Sequence, residues 1–147
     1  MFLVLRRFAF LCALLPLAAN AVGENPMDAA FDAYHAGEKP RAFGIWSAIL
    51  AGPDAPAAQA NAGRMLLYGD GVPADGPQGR AILTAAAEAG GVAAKRLLGE
   101  ALVNGVGGPA DGGAGLAWLT QAAEAGDADA AFKLVVLRDQ GERAPRD

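Results

Sequence analysis

The chain has 147 residues, with 12 basic and 16 acidic side chains and a formal net charge of −4. This acidic balance provides no electrostatic footprint for nucleic acid and little attraction to anionic lipid, so neither is expected as a partner. The length predicts one domain. Alanine and glycine prevail over large aliphatic residues, and because alanine buries few methylene groups we expect a core of modest stability.

The first 21 residues are predicted to be a secretory signal peptide. Arg6 and Arg7 precede an apolar run over 8–19, and an Ala-Asn-Ala tripeptide ends at Ala21, which is the small-x-small pattern that signal peptidases accept. The apolar run is shorter than the ~20 residues that cross a bilayer, so no stable membrane span is expected after cleavage. An uncleaved anchor is the alternative interpretation of this segment.

Cleavage after Ala21 would place residues 22–147 in the periplasm or outside the cell. It would remove Cys12, the only cysteine, and the mature chain would then have neither a disulfide framework nor a thiol nucleophile. It would also remove two arginines and leave 10 basic against 16 acidic side chains, a net charge of −6.

Residues 22–57 are predicted to form a degenerate first hairpin that caps the N-terminal end of the chain. Asn25 followed by Pro26 predicts a helix start, and this helix should run to about Gly37. Trp46, in the second helix, lies 36 residues before Ile82 and 72 before Trp118, which predicts one shared helix position. The bulkiest apolar surface of the chain is predicted to come from Ala30, Tyr34, Phe43, Trp46, Ile49 and Leu50. A terminal unit is often irregular, since one of its faces meets water.

Residues 58–126 contain one unit written twice at a spacing of 36, as repeat 1 (58–93) and repeat 2 (94–126). When 58–90 is aligned with 94–126, 18 of 33 positions are identical. Chance identity in a chain this rich in alanine and glycine would be roughly a tenth, and a period between about 20 and 50 residues is typical of stacked arrays.

Each unit is predicted to be a helical hairpin. In helix A, apolar residues recur at i, i+4 and i+8, and Gly63 or Gly99 lies beside this face, where a missing side chain allows two backbones to approach closely. A glycine-rich loop with a proline ends helix A, and helix B begins at an aspartate N-cap and ends at a glycine. These loop and cap residues are Gly69, Asp75 and Gly90 in repeat 1 and Gly105, Asp111 and Gly126 in repeat 2.

This pattern resembles the Sel-1-like repeat, a relative of the tetratricopeptide repeat. The family pattern stands in repeat 2 as Leu98-Gly99, Gly105-x-Gly107, Pro109, Asp111, Trp118 and the Ala-Ala-Glu-Ala-Gly of 122–126. The chain departs from it where Gly79 and Gly115 replace a helix-B alanine and where Ile82 replaces the tryptophan.

The resemblance covers about residues 27–140. It implies an all-α fold, a right-handed α/α solenoid of stacked helical hairpins that follows the signal peptide. A tetratricopeptide array is the alternative, but its unit has about 34 residues, and the glycine-rich loop favours the longer repeat.

Residues 127–140 are predicted to form a single C-terminal capping helix. Asp127 provides its N-cap, and Ala130 lies 36 residues after Ala94, so this helix corresponds to helix A of a fourth unit. Its apolar side is predicted to contain Ala130, Ala131, Leu134 and Leu137. Residues 141–147 are polar, contain a proline and are expected to form a flexible tail.

The sequence contains little that could support catalysis. Ser47 is the only serine, and it has no predicted base beside it. His35 is the only histidine and has no companions at the spacing of a metal site. Glu88 and Glu124 are equivalent in the two repeats, about 10 Å apart if the hairpins stack, but a repeated glutamate is typical of a solvated structural position. We therefore predict no catalytic residue, no metal site and no cofactor in a protein that is not an enzyme.

A solenoid presents one continuous concave face, which its successive A helices line. Residues at i, i+3 and i+7 of each A helix, away from the packed stripe, are predicted to form rows across the stack. The candidate partner contacts are Asn61, Arg64, Tyr68, Glu100, Asn104, Lys133 and Gln140, and Leu97 and Val136 complete the rows. Mixed polar groups with one tyrosine suit an extended peptide or protein segment, although a merely solvated face fits the same pattern.

The resemblance implies protein–protein interaction, since Sel-1-like proteins are similar to adaptors in signalling, envelope maintenance and complex assembly. Together with the leader, it suggests an exported scaffold or adaptor whose partner is a protein or peptide. Two alternatives stay open. One is a cell-envelope hydrolase or a peptidoglycan- or β-lactam-binding protein, as among cysteine-rich relatives whose disulfide-linked hairpins are missing here. The other is a regulator of a membrane sensor.

Overall fold

The computed structural model describes residues 25–49 and 51–143, with side chains described up to residue 141. This part of the chain forms seven helices and no strand: α1 (Pro26–His35), α2 (Lys39–Ala48), α3 (Ala55–Tyr68), α4 (Gly76–Glu88), α5 (Val92–Asn104), α6 (Gly112–Glu124) and α7 (Ala128–Arg143). The predicted leader over 1–21, Leu50, and residues 144–147 of the predicted tail lie outside the described residues.

The helices pack in chain order as hairpins. α1 pairs with α2, α3 with α4 and α5 with α6, and each hairpin packs on the next through its second helix and the following first helix. α3 also contacts α5 directly, as expected for successive A helices of a stack, and α7 packs on α6 as the A helix of a fourth unit. The predicted all-α solenoid of stacked hairpins is therefore confirmed.

Helix starts and ends follow the predicted caps. The side chain of Asn25 accepts a hydrogen bond from a backbone N–H in the first turn of α1 at 3.0 Å. Three aspartates each accept the N–H three residues later at 2.9 Å, namely Asp75, Asp111 and Asp127. α3 and α5 end at Gly69 and Gly105, whose φ angles of 69° and 68° are left-handed. A residue with a β-carbon adopts that conformation rarely, so these two stops are specific to glycine.

Within repeat 1, α3 and α4 cross at Gly63 and Gly79. A β-carbon built on Gly79 would lie 2.8 Å from the carbonyl oxygen of Gly63 and 2.7 Å from the backbone nitrogen of Leu67. Repeat 2 has the same crossing, because a β-carbon on Gly115 would lie 2.8 Å from the carbonyl oxygen of Gly99. The close approach predicted at Gly63 and Gly99 is confirmed. The two departures from the family pattern, Gly79 and Gly115, are the second half of each crossing.

A half-buried arginine joins the two repeats. The guanidinium of Arg80, on α4, donates to the carbonyl oxygen of Val106 at 2.7 Å and to those of Pro109 and Ala101 at 2.8 and 3.1 Å. These carbonyls belong to the C-terminal end of α5 and the loop after it, where a cation also faces the negative end of the helix dipole. The equivalent residue of repeat 2, Leu116, is 42% exposed.

The first hairpin is aligned differently from the prediction. Trp46 lies eight residues after the N-cap position of its helix, as Leu83 and Leu119 do in α4 and α6, and all three side chains are at most 1% exposed. The predicted equivalence of Trp46 with Ile82 and Trp118 is therefore wrong by one residue. The shorter α2 is offset by the longer connection after it, but α3 has 14 residues where α5 has 13, which makes the spacing between the N-caps of α2 and α4 37 residues.

The C-terminal helix also differs in two details. α7 continues to Arg143, three residues beyond the predicted end at 140. Ala131 was predicted on the apolar side, but it is exposed while Ala130 is fully buried and Leu134 and Leu137 are half-buried. Adjacent helical residues point about 100° apart, so Ala131 faces the side of α7 that no described helix covers.

Candidate interaction surface

The predicted contact residues lie on α3, α5 and α7, and we call this surface the A-helix face. Tyr68, Asn104 and Gln140 are exposed, and the others are half-buried, namely Asn61, Arg64, Glu100 and Lys133. Leu97, which completed one of the predicted rows, is only 8% exposed and belongs to the core between the repeats. Burial of Leu97 therefore interrupts the predicted rows at α5, and the polar residues of the rows provide the accessible surface.

One end of the A-helix face carries two cations that share one carboxylate. Asp70, in the loop after α3, accepts hydrogen bonds from Lys39 Nζ at 2.5 Å, from Tyr34 Oη at 2.6 Å and from Arg64 Nη1 at 3.0 Å. The hydrogen bonds from Lys39 and then Tyr34 hold the pKa of the Asp70 carboxyl well below its usual range. We call Lys39, Arg64 and Asp70 the positive triad, since its formal charge is +1.

The positive triad also involves the ring of Tyr34. The Lys39 ammonium lies 5.4 Å and the Arg64 guanidinium carbon 5.5 Å from the ring centroid, within the range of cation–π contacts. Tyr34 is on α1 and Lys39 on α2, so these contacts attach the first hairpin to repeat 1.

A second triad has the opposite composition. Arg96, on α5, donates from Nε to Asp127 Oδ2 at 3.2 Å and from Nη1 to Glu100 Oε1 at 3.4 Å. Asp127 is at the same time the N-cap of α7, so this triad attaches the C-terminal helix to repeat 2. We call Arg96, Glu100 and Asp127 the negative triad, since its formal charge is −1.

Tyr68 lies one helical turn after Arg64 of the positive triad, at the end of α3. Its side chain is the last of α3 and is 50% exposed. Burial of the remaining part raises the pKa of the Tyr68 phenol, the charge of Glu100 raises it further, and Arg64 and Arg96 oppose this shift. The phenol is thus within electrostatic reach of both triads. Of the predicted residues, Arg64 and Glu100 take part in the two triads, whereas the Asn61 amide donates to a carbonyl of its own helix.

Sequence reasoning missed most members of the triads. Lys39 and Asp70 are 31 residues apart, as are Arg96 and Asp127. None of these four follows the 36-residue period of the predicted rows. The Asp127 side chain was predicted as an N-cap, but its second role depends on where α5 places Arg96. Charged residues beside the predicted rows, read together with the stacking order of the helices, could have indicated the other members of the triads.

Comparison with known protein families identifies the repeated unit. The model of the Sel1 repeat matches residues 56–91 and 92–127, each match beginning two residues before the predicted start of a repeat. The chain belongs to the Sel1 repeat family.

Among solved structures, the crystal structure of a Sel1 repeat protein from Oxalobacter formigenes is similar, with 27% sequence identity and a TM-score of 0.67. The match covers 80% of this chain and 47% of that chain, so this Sel1 chain spans about half the length of that relative. The comparison with curated proteins finds no match.

In the Sel1 stack, a groove lies between each helix B and the next helix A, and the extent to which side chains fill it differs between the units. Trp118 packs on the core between α4 and α5. The equivalent Ile82 leaves a cavity of about 210 Å³ between α2, α3 and α4, also lined by Ser47, Gln59, Ala62 and Ala85. Between α6 and α7 the groove is open, with a volume of about 410 Å³, and Leu116, Thr120, Leu134, Leu137 and Arg138 line it.

Sel1 repeat proteins generally mediate protein–protein interaction, and their fold is typically a non-catalytic scaffold. Within the described part of the chain, no three His, Cys, Asp or Glu side chains group as metal ligands would. The Oγ atom of Ser47 is buried without a hydrogen-bond partner, and no described base contacts it. None of the helices in residues 25–49 and 51–143 combines the length and apolarity required to cross a bilayer.

Proposed function

We propose that this Sel1 protein is an exported adaptor that captures an extended segment of a partner protein on its A-helix face. The single observation that carries the proposal is the half-exposed Tyr68 at the end of α3, within electrostatic reach of two charged triads. A tyrosine supplies a large contact area at low conformational cost, and fixed ion pairs present charge without further ordering of side chains. Export to the periplasm or the outside rests on the predicted leader and on cleavage after Ala21.

The proposal is supported by how the face is built. Each triad joins two units of the stack, so the charges near Tyr68 are held by contacts between helices and not by one flexible side chain. A preorganised surface loses less side-chain entropy when it binds, which favours capture of a segment that must itself become ordered.

The test is a crosslinking pull-down from the cell envelope with purified residues 22–147 as bait. The double variant Arg64→Glu and Tyr68→Ala should weaken capture of the partner while the helical circular dichroism is retained. A matched double variant, Arg41→Glu and Gln78→Ala, changes the same charge and removes a side chain of exposed residues on α2 and α4. It should leave capture unchanged.

Equal capture by both double variants would reject the A-helix face as the binding surface. Incubation of the same protein with peptidoglycan fragments and with a β-lactam tests the alternative of a hydrolase or envelope ligand-binding protein. If the partner captured through Tyr68 is a membrane sensor, the protein would be a regulator of that sensor.

A further inference from the structure

We infer that the A-helix face selects a partner segment by charge order, with an acidic residue on one side of an apolar anchor and a basic residue on the other. This inference rests on the proposed function and names the chemistry of its partner. Its basis is the opposite composition of the two triads within electrostatic reach of Tyr68.

The positive triad has one more cation than it can neutralise. Lys39 and Arg64 share the single carboxylate of Asp70, and 39% and 28% of their side chains are exposed. Any ligand that approaches this end of the face meets a net charge of +1 that is held in place by hydrogen bonds. A carboxylate of the partner is the complementary group, since it can accept from both cations without displacing Asp70.

The negative triad has the reverse excess. Glu100 and Asp127 share the single guanidinium of Arg96, and 23% and 14% of their side chains are exposed. A lysine or arginine of the partner complements this end, whereas an acidic residue would meet like charge.

The rest of the described surface would not produce this selectivity. Outside the two triads, residues 25–141 carry ten acidic side chains and five basic ones. A partner held only by the overall field would therefore be basic throughout. The positive triad is the feature that requires an acidic residue, and it lies on the face that the proposed function uses.

The geometry also limits the spacing of the partner's charges. Each triad has one predicted contact residue on an A helix, Arg64 on α3 and Glu100 on α5, and the axes of such neighbouring helices are about 8–10 Å apart. An extended segment advances about 3.3 Å per residue. The acidic and basic residues of the partner should accordingly lie about three residues apart, with the apolar anchor over Tyr68 between them.

Fluorescence anisotropy with labelled nonapeptides tests the inference on purified residues 22–147. The first peptide has two glutamates, a central phenylalanine and two lysines, with the charges on opposite sides of the ring. The second has the same composition, but each side carries one glutamate and one lysine. Two further peptides carry four glutamates or four lysines around the same phenylalanine.

The first peptide should bind at least about fivefold more tightly than the other three, and its affinity should fall as salt is raised. The inference is overturned if the all-lysine or the composition-matched peptide binds as tightly, or if none of the four peptides binds. Tyr68-dependent binding of the wrong peptide would leave the proposed function intact. Loss of Tyr68 dependence in the envelope pull-down would remove the proposed function itself.

A charge reversal provides the second readout. Arg64→Glu converts the positive triad to a net charge of −1 and should shift the preference from the first peptide to the all-lysine peptide. Arg41→Glu, the same change on α2 outside the face, should leave the preference as it is. Glu100→Gln removes one charge from the negative triad without disturbing Asp70, and it should reduce the preference for a lysine on that side. An unchanged order of affinities in both triad variants would contradict the inference.

Discussion

The two central repeats and the two ends of the stack are held together by different kinds of contact. In α3–α6 the crossing is made by backbone against backbone at paired glycines, and it is the same in both repeats. At the N-terminal end, Trp46 takes the buried position and packs against Phe31 and Tyr34, with ring centroids 5.3 and 5.7 Å away.

The C-terminal end departs in the opposite direction. Val135, 36 residues after Gly99, is 66% exposed, and Leu116 stands where repeat 1 has Arg80. The close crossings at paired glycines occur in α3–α6, where each hairpin has a neighbouring helix on both sides. At the C-terminal end, where no following helix packs within the described residues, Val135 stands at the position of the crossing glycine.

The crossing glycines are expected to give the largest effect. Gly79→Ala places a β-carbon against two backbone atoms that cannot move aside, so the free energy of unfolding should fall by about 3 kcal/mol. Gly44→Ala in α2 is the matched control, because nothing lies within 4 Å of its added β-carbon. That variant should be stabilised by about 0.5–1 kcal/mol through helix propensity. Urea unfolding measures both, and equal effects would show that the two regions do not differ in this way.

The arginine between the repeats should rank second. Arg80→Leu copies the residue of repeat 2 into repeat 1 and removes the donors to Val106 and Pro109, and we expect a loss of about 2 kcal/mol in urea unfolding. Arg41→Leu removes an exposed ion pair and should cost less than about 0.5 kcal/mol. If Arg80→Leu proved as mild as the control, the repeats would be joined by apolar packing alone.

The attachment of the first hairpin predicts a pH dependence. Asp70→Asn should lower stability by about 1–2 kcal/mol at neutral pH, since it removes the charge that Lys39 and Arg64 share. The folded carboxyl has a lowered pKa, so its contribution is present above the unfolded value of about 3.9 and is lost as the pH falls through the folded value. The difference in melting temperature between wild type and variant should therefore narrow below pH 4.

Asp54→Asn is the control for that experiment, because the Asp54 side chain makes no capping hydrogen bond at the start of α3. Its melting temperature should stay close to that of the wild type. A gap for Asp70→Asn that stays constant down to pH 2 would argue against the carboxylate as the group that holds the first hairpin.

The smallest effect is expected at the groove between α2, α3 and α4. Ile82→Trp copies Trp118 into repeat 1 and should fill part of the cavity of about 210 Å³, for a gain of about 0.5–1 kcal/mol. The reciprocal variant, Trp118→Ile, should lose about 1–2 kcal/mol because it opens the same kind of cavity between α4 and α5. Differential scanning calorimetry would show whether each variant is stabilised or destabilised. Destabilisation of both variants would mean that the two grooves differ in shape.

Much of the fold could be predicted from local residue types. Gly69, Gly105 and the capping aspartates determine where helices end and begin through their own backbone, and these positions were found as predicted. The position of Trp46 could not be predicted from spacing alone, because α3 is one residue longer than α5 and the distance from the first N-cap to the next is therefore 37 residues.

The candidate surface was predictable only in part. Arg64, Tyr68 and Glu100 follow the 36-residue period, so they were identified as neighbours across adjacent A helices. Leu97 follows the same period but is buried in the core between the repeats, whereas Asn61 and Lys133 at the equivalent positions are half-buried. Periodicity locates a face of the helix, whereas burial depends on which helices lie beside it.

The sequence by itself determined the hairpin, its period of 36 and its glycine crossings, because glycine, proline and aspartate act within a few residues of their own position. Only the tertiary structure decided the two triads. Their ion pairs join Lys39 to Asp70 and Arg96 to Asp127 across different units of the stack. Long side chains find such partners through the packing of helices, and no local rule of the chain specifies which charge lies within reach.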